Sequence, residues 1–158
     1  MEIRIRKLNE NDVTALGDII DCNETNKIII EEILKEKDYM YKPYGLFIDE
    51  VLVGYCSLSS SDEYSSYKDW TNDCASIGEL FIKEEYSTVD LYCDILYYVL
   101  FLDEENKNLK IYYDNNINLE NKYFSHLGFI ELNEGLLVRI PDSLLKEESN
   151  WLLLFETY

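Results

Sequence analysis

Ser76-Ile77-Gly78-Glu79-Leu80-Phe81-Ile82-Lys83-Glu84-Glu85-Tyr86-Ser87-Thr88-Val89-Asp90-Leu91-Tyr92-Cys93-Asp94-Ile95-Leu96 is the stretch whose reading decides the fold. Its opening residues alternate as a strand does, with Leu80 and Ile82 on one face and Glu79 and Phe81 on the other. Lys83-Glu84-Glu85-Tyr86 breaks the alternation. From Ser87 onward, Val89, Cys93, Leu96, Tyr97 and Leu100 recur at helical spacing, while Leu91, Ile95, Val99 and Leu102 fill the other faces. That pattern predicts a long core helix, apolar nearly all round. With Ser87 as N-cap, Asp90 falls at the third helical position, where its carboxylate can accept N–H groups that a helix start leaves open.

On the N-terminal side, Ile3, Ile5 and Leu8 alternate with Arg4 and Arg6 as a half-buried first strand. Asn9 followed by Asp12 reads as the cap of a helix carrying Val13, Leu16, Ile19 and Ile20, and a second helix is expected from about Thr25 to Lys37. Residues 43–48 and 51–58 are two strands joined by the two-residue turn Asp49-Glu50. Ser59 to Asn72 is a polar excursion without periodicity, long for a connection inside a domain. Its Tyr64, Tyr67 and Trp70 either anchor a partner or fold back on the sheet.

Beyond the central helix, Asp103 to Asn108 is a solvated connection and Leu109 to Tyr113 a fifth strand. A helix from about Asn118 to Leu127 should end at Gly128 in a left-handed conformation. The lone His126 has no Ser, Cys or Asp constellation in the sequence and suits a surface position at that helix end. Residues 129–132 and 136–140 form a last hairpin through Asn133-Glu134-Gly135, stopped by Pro141, and Ser143 to Glu148 is a short helical turn. The organisation expected is one domain over residues 1–141 and a C-terminal extension over 142–158. The extension's apolar run, Trp151-Leu152-Leu153-Leu154-Phe155, packs on the domain or pairs with a second copy as a homodimer.

With 158 residues, 47% of them hydrophobic and 14% aromatic, the chain can bury a full core. Thirty-two acidic residues against 14 basic ones give a formal net charge of −18, which disfavours direct nucleic-acid or membrane partners and favours cationic amines or basic protein surfaces. Strong acidity also serves solubility alone. Cys22, Cys56, Cys74 and Cys93 lie far apart without a histidine cluster, so neither a metal site nor a disulfide framework is expected. No signal-peptide pattern opens the chain, and no apolar stretch has membrane-spanning length; a cytoplasmic location follows as the default.

The strand, turn and helix of the opening stretch resemble the GNAT superfamily of acyl-CoA-dependent N-acyltransferases, whose pattern is roughly Leu-x-Val-x-Pro-Glu-Tyr-Arg-Gly-x-Gly-Ile-Gly-x-x-Leu-Leu. Leu80 to Leu96 falls on it without a gap. Val53-Gly54-Tyr55 resembles the family's third strand, and Tyr123-Phe124-Ser125-His126-Leu127-Gly128-Phe129 its closing motif, Leu-Tyr-x-x-x-Gly-Phe. The resemblance covers about Glu2 to Pro141. It implies an α/β (α+β) fold: a mixed, mostly antiparallel sheet of six or seven strands flanked by about four helices, splayed between parallel fourth and fifth strands.

It also implies positions for a cofactor, Ile82, Ser87, Thr88, Asp90 and Tyr92. In the family an arginine and glycines there let backbone N–H groups close on the pyrophosphate of acetyl-CoA. Ser87 stands at the arginine position, and Thr88, Asp90 and Tyr92 at the glycines. A carboxylate about 5 Å from a phosphate charge costs on the order of 3 kcal/mol at an effective dielectric of about 20. The family's tyrosine general acid matches Phe124, which has no proton to give; Tyr123 precedes it, about 100° around the helix.

Two functions are therefore carried forward. In the first, the acetyl-CoA site is degenerate, no cofactor is bound, and the chain is an acidic protein-binding or inhibitory module for a basic surface. In the second, an active acetyl-CoA-dependent N-acetyltransferase acts on a cationic amine, with Glu79 as general base, the Ile82 N–H on the acyl carbonyl and Tyr123 as acid.

Overall fold

The structure is a computed structural model and describes residues 1–19, 41–59, 74–115, 117, 119–133 and 135–141. The helix expected at Thr25–Lys37, the excursion over 59–72 beyond Ser59, and the C-terminal run at 151–155 lie outside those residues. Seven strands form one sheet in the order β1-β2-β3-β4-β5-β7-β6: β1 (Ile3–Lys7), β2 (Tyr41–Ile48), β3 (Val51–Ser59), β4 (Cys74–Ile82), β5 (Lys110–Asp114), β6 (Phe129–Asn133) and β7 (Leu136–Arg139). β1–β2, β2–β3, β5–β7 and β6–β7 pair antiparallel, and β4–β5 parallel. The helices are α1 (Val13–Ile19), α2 (Val89–Tyr97) and α3 (Asn121–His126). This is the fold expected from the sequence, with β4 starting at Cys74 rather than Ser76.

Chain contacts define two compact units, Met1–Ser59 with Gly78–Ile95, and Ser60–Ile77 with Leu96–Tyr158. In the first, the β2–β3 turn places both Asp49 (φ 48°) and Glu50 (φ 72°) in the left-handed region, the geometry that matches the right-handed twist of a two-residue hairpin. Leu46 pairs with Gly54 and Phe47 with Leu52, so β3 carries one extra residue there, a bulge. A β-carbon on Gly54 would lie 3.1 Å from Ile82 Cγ1 and 3.1 Å from Leu46 Cβ, so any larger residue must press both aside. Leu8, Val13, Leu16, Ile19, Phe47, Leu52 and Tyr55 form the core beneath α1.

The cap expected at Asn9 is present. Asn9 Oδ1 accepts the Asn11 N–H at 2.9 Å, and the Asp12 carboxylate accepts the Asn9 N–H at 2.8 Å. Asp12 also receives two 2.8 Å bonds from the Arg6 guanidinium. This pairing lets a carboxylate sit 7% exposed.

In the second unit, Cys74–Ile77 pairs with Lys110–Tyr113, and the pairing stops at Ile77↔Tyr113, the splay expected of the fourth and fifth strands. Phe124 is fully buried, 5.5 Å from the Tyr113 ring and 5.7 Å edge-on to Phe129. α3 is shorter than expected because Glu120 is extended (ψ 140°), while Gly128 (φ 93°) ends it as anticipated. Past Tyr97 the central helix widens into a π-helical segment, Tyr98–Leu102, closed by the Asp103 N–H on the Tyr98 carbonyl at 3.0 Å. The buried Asn106 amide donates to the Val99 carbonyl at 2.9 Å, satisfying a group that the wider turn releases. The expected all-round burial is corrected here: Leu91, Ile95, Leu96, Val99 and Leu100 are buried, but Tyr97 is 49% and Leu102 57% exposed.

Candidate functional site

The site lies in the first unit, where β4 hands over to α2. Ile82 ends the strand with its side chain buried against Gly54, and the Lys83 N–H donates to the Val53 carbonyl at 2.8 Å, so the strand is held to β3 to its last residue. Glu84–Tyr86 then forms one 3-10 turn, through Tyr86 N–H to Lys83 O at 2.9 Å and Ser87 N–H to Glu84 O at 3.1 Å.

That turn uses Ser87. With its N–H committed backward and its backbone at φ −69°, ψ 109°, Ser87 ends the 3-10 turn instead of capping α2. Thr88 caps it: Thr88 Oγ1 accepts the Leu91 N–H at 3.2 Å, and the Thr88 carbonyl accepts the Tyr92 N–H at 3.2 Å. Asp90 accordingly stands at the second helical position, exposed, and a hydroxyl closes the terminus where a carboxylate was expected. The N–H groups of Val89 and Asp90 take no acceptor among the described residues. Between residues 83 and 97 the chain carries Glu84, Glu85, Asp90 and Asp94 against one cation, Lys83. Burial, then the charges of Asp90 and Asp94, push the Cys93 thiol up, so it is a poor nucleophile at neutral pH.

Glu79 is exposed on β4, as the alternation predicts, and its N–H donates to Ser57 Oγ at 3.0 Å. Ser57 is a buried hydroxyl that sequence reasoning missed, because a serine within a strand gives no local signal of its partner. Gly78 leaves room for it, since a β-carbon there would lie 3.1 Å from that oxygen. Tyr123 and Phe124 belong to the second unit. Tyr123 is half-buried, with Lys122 Nζ 5.1 Å from its ring centre; Phe124 is locked in the aromatic cluster. His126 is exposed in the last turn of α3, as expected. Cys56 is buried, which raises its thiol to about 12. Among the described residues no group of His, Cys, Asp and Glu could hold a metal ion, and no helix is long and apolar enough to cross a membrane.

Strand order, the parallel β4–β5 pair and the strand–turn–helix at 74–97 define the GNAT N-acetyltransferase fold. Solved structures similar to the chain include PaiA N-acetyltransferase from Thermoplasma acidophilum in complex with coenzyme A, at 18% identity over 89% of this chain and 99% of that one, TM-score 0.57. An N-acetyltransferase from Staphylococcus aureus Mu50 is 14% identical over 92% and 99% of the two chains, TM-score 0.61. The ribosomal-protein-S18-alanine N-acetyltransferase from Escherichia coli is 12% identical over 87% and 93%, TM-score 0.59. No family model matches the sequence, and no curated protein matches it. Likeness at such identities establishes the fold; the chemistry rests on the residues.

Proposed function

We propose that this chain is a GNAT-fold protein whose acetyl-CoA turn is degenerate and which works as an acidic protein-binding or inhibitory module for a basic protein surface. One observation carries the reading: the N-terminus of α2 is capped by its own Thr88 hydroxyl, in a stretch that carries Glu84, Glu85, Asp90 and Asp94. A pyrophosphate needs several converging N–H groups and a favourable field. Here the Ser87, Leu91 and Tyr92 N–H groups are already bonded, and Thr88, Asp90 and Tyr92 add side chains where close backbone approach is required. These features count against a grip on the pyrophosphate. Phe124, buried and without a proton to give, supports the same reading.

The restoring variant tests it. Ser87→Arg combined with Thr88→Gly, Asp90→Gly and Tyr92→Gly should acquire acetyl-CoA binding in a calorimetric titration that the unmodified chain lacks. Equal binding by both proteins would refute the reading. The partner class has its own check: capture of basic proteins should fall steeply between low and physiological ionic strength, and salt-insensitive capture would contradict it.

A second reading, an active acetyl-CoA-dependent N-acetyltransferase on a cationic amine, draws support from the open N–H groups of Val89 and Asp90 and from exposed Glu79. Glu79 would then be the base and Tyr123 the acid. Acyl transfer lost in Glu79→Gln would favour it.

A further inference from the structure

Away from the β4–α2 turn, β1 and the β2–β3 turn form an open cavity of about 170 Å³ lined by Glu2, Arg4, Arg6, Phe47 and Glu50. Arg4 and Arg6 are two residues apart on β1 and share one face, roughly 7 Å from each other along the strand. Arg4 stands opposite Phe47 in the β1–β2 register, and the Arg6 guanidinium lies 4.4 Å from the centre of that ring.

Arg6 and the Asp49-Glu50 turn are held in place before any ligand arrives. Arg6 is gripped by Asp12 through two bonds and donates a third to the Lys7 carbonyl at 3.1 Å, leaving N–H groups in hand. Arg4 makes one bond, to Glu2 at 3.3 Å, and keeps the rest of its donors. The opposite rim is fixed too: Asp49 accepts the Glu2 N–H at 2.8 Å and donates its own N–H to the Glu2 carbonyl at 2.9 Å, which ties the turn bearing Glu50 to the start of β1. Such preorganisation lowers the ordering cost of binding.

Charge selects the ligand. A chain of net charge −18 repels a simple anion at long range, and two guanidinium groups repel a simple cation at short range. A molecule of zero net charge escapes the first penalty, and the mixed lining serves both of its ends. The volume lies below the roughly 300 Å³ at which sites for drug-sized ligands begin, so the ligand is small. We propose that this cavity binds a small zwitterion, an α-amino acid, with its carboxylate on Arg4 and Arg6 and its ammonium on Glu2 and Glu50. The site is independent of the acetyl-CoA reading.

Isothermal titration of the full chain with L-leucine tests it, alongside 4-methylpentanoate and 3-methylbutylamine, which each lack one charged end. Leucine should bind saturably in the millimolar range, and each analogue should bind at least about tenfold more weakly. Arg4→Ala, at a side chain 63% exposed whose loss the fold tolerates, should weaken leucine by at least about tenfold, and Glu50→Gln should weaken it without affecting 4-methylpentanoate. No saturation at concentrations on the order of 10 mM, equal binding of 4-methylpentanoate, or binding unchanged in Arg4→Ala would each overturn the proposal.

Discussion

The Thr88 hydroxyl accepts the Leu91 N–H at 3.2 Å, and through that bond α2 caps one of the N–H groups at its own N-terminus. Thr88→Ala should therefore cost about 1 kcal/mol in urea unfolding, whereas Ser87→Ala, whose side chain makes no cap, should stay within about 0.5 kcal/mol of the parent. The reverse ranking would return the cap to Ser87.

Asp12 links β1 to α1, and the Arg6 guanidinium, then the backbone N–H of Asn9, hold its carboxyl below the ordinary 3.8 against the opposing effect of burial. A lowered carboxyl stabilises the fold fully above the unfolded value and loses that contribution as pH falls through the folded one. Asp12→Asn should cost about 2 kcal/mol at neutral pH, less than breaking a fully buried pair because the Arg6 side chain is 37% exposed. Urea melts at successive pH values should show the gap between parent and variant constant above about pH 5 and shrinking below 3.8.

Phe124 fills a closed aromatic cluster, so Phe124→Ala should cost roughly 3–5 kcal/mol. Phe124→Tyr should also destabilise, by about 1–3 kcal/mol, because the added hydroxyl enters a site packed by Tyr113 and Phe129. Unchanged stability with acyl transfer appearing in the tyrosine variant would mean that the position retains its catalytic surroundings.

Gly54→Ala should cost about 1–3 kcal/mol by pressing on Ile82 and Leu46. The Gly54→Ala cost should be smaller in an Ile82→Ala background, which removes the Cγ1 that the new methyl meets; strictly additive costs would deny the close approach of β3 and β4.

Local chemistry made several of these elements legible in the sequence. Asn9 and Asp12 announce their cap, Asp49-Glu50 its turn, Gly128 its helix end, and the alternation of Leu80 and Ile82 with Glu79 and Phe81 the two faces of β4. What stayed hidden depends on distant partners or on one turn feeding the next. Arg6 read as a solvent-facing strand residue because only the returning chain brings Asp12 to it. The cap shifted from Ser87 to Thr88 because the 3-10 turn at Glu84–Tyr86 takes the Ser87 N–H first. Likewise, nothing in the apolar run announces the π-helical segment at Tyr98–Leu102, whose Val99 carbonyl accepts from the Asn106 amide.

Thermal unfolding of the unmodified chain with and without acetyl-CoA most directly tests the claim that the β4–α2 turn does not hold the cofactor. A bound ligand at about 100 times its dissociation constant stabilises the native state by about 2.7 kcal/mol, which for a chain of this size raises the melting temperature on the order of 5–10 °C. The account predicts no rise at acetyl-CoA concentrations in the millimolar range; a rise of that size would contradict it.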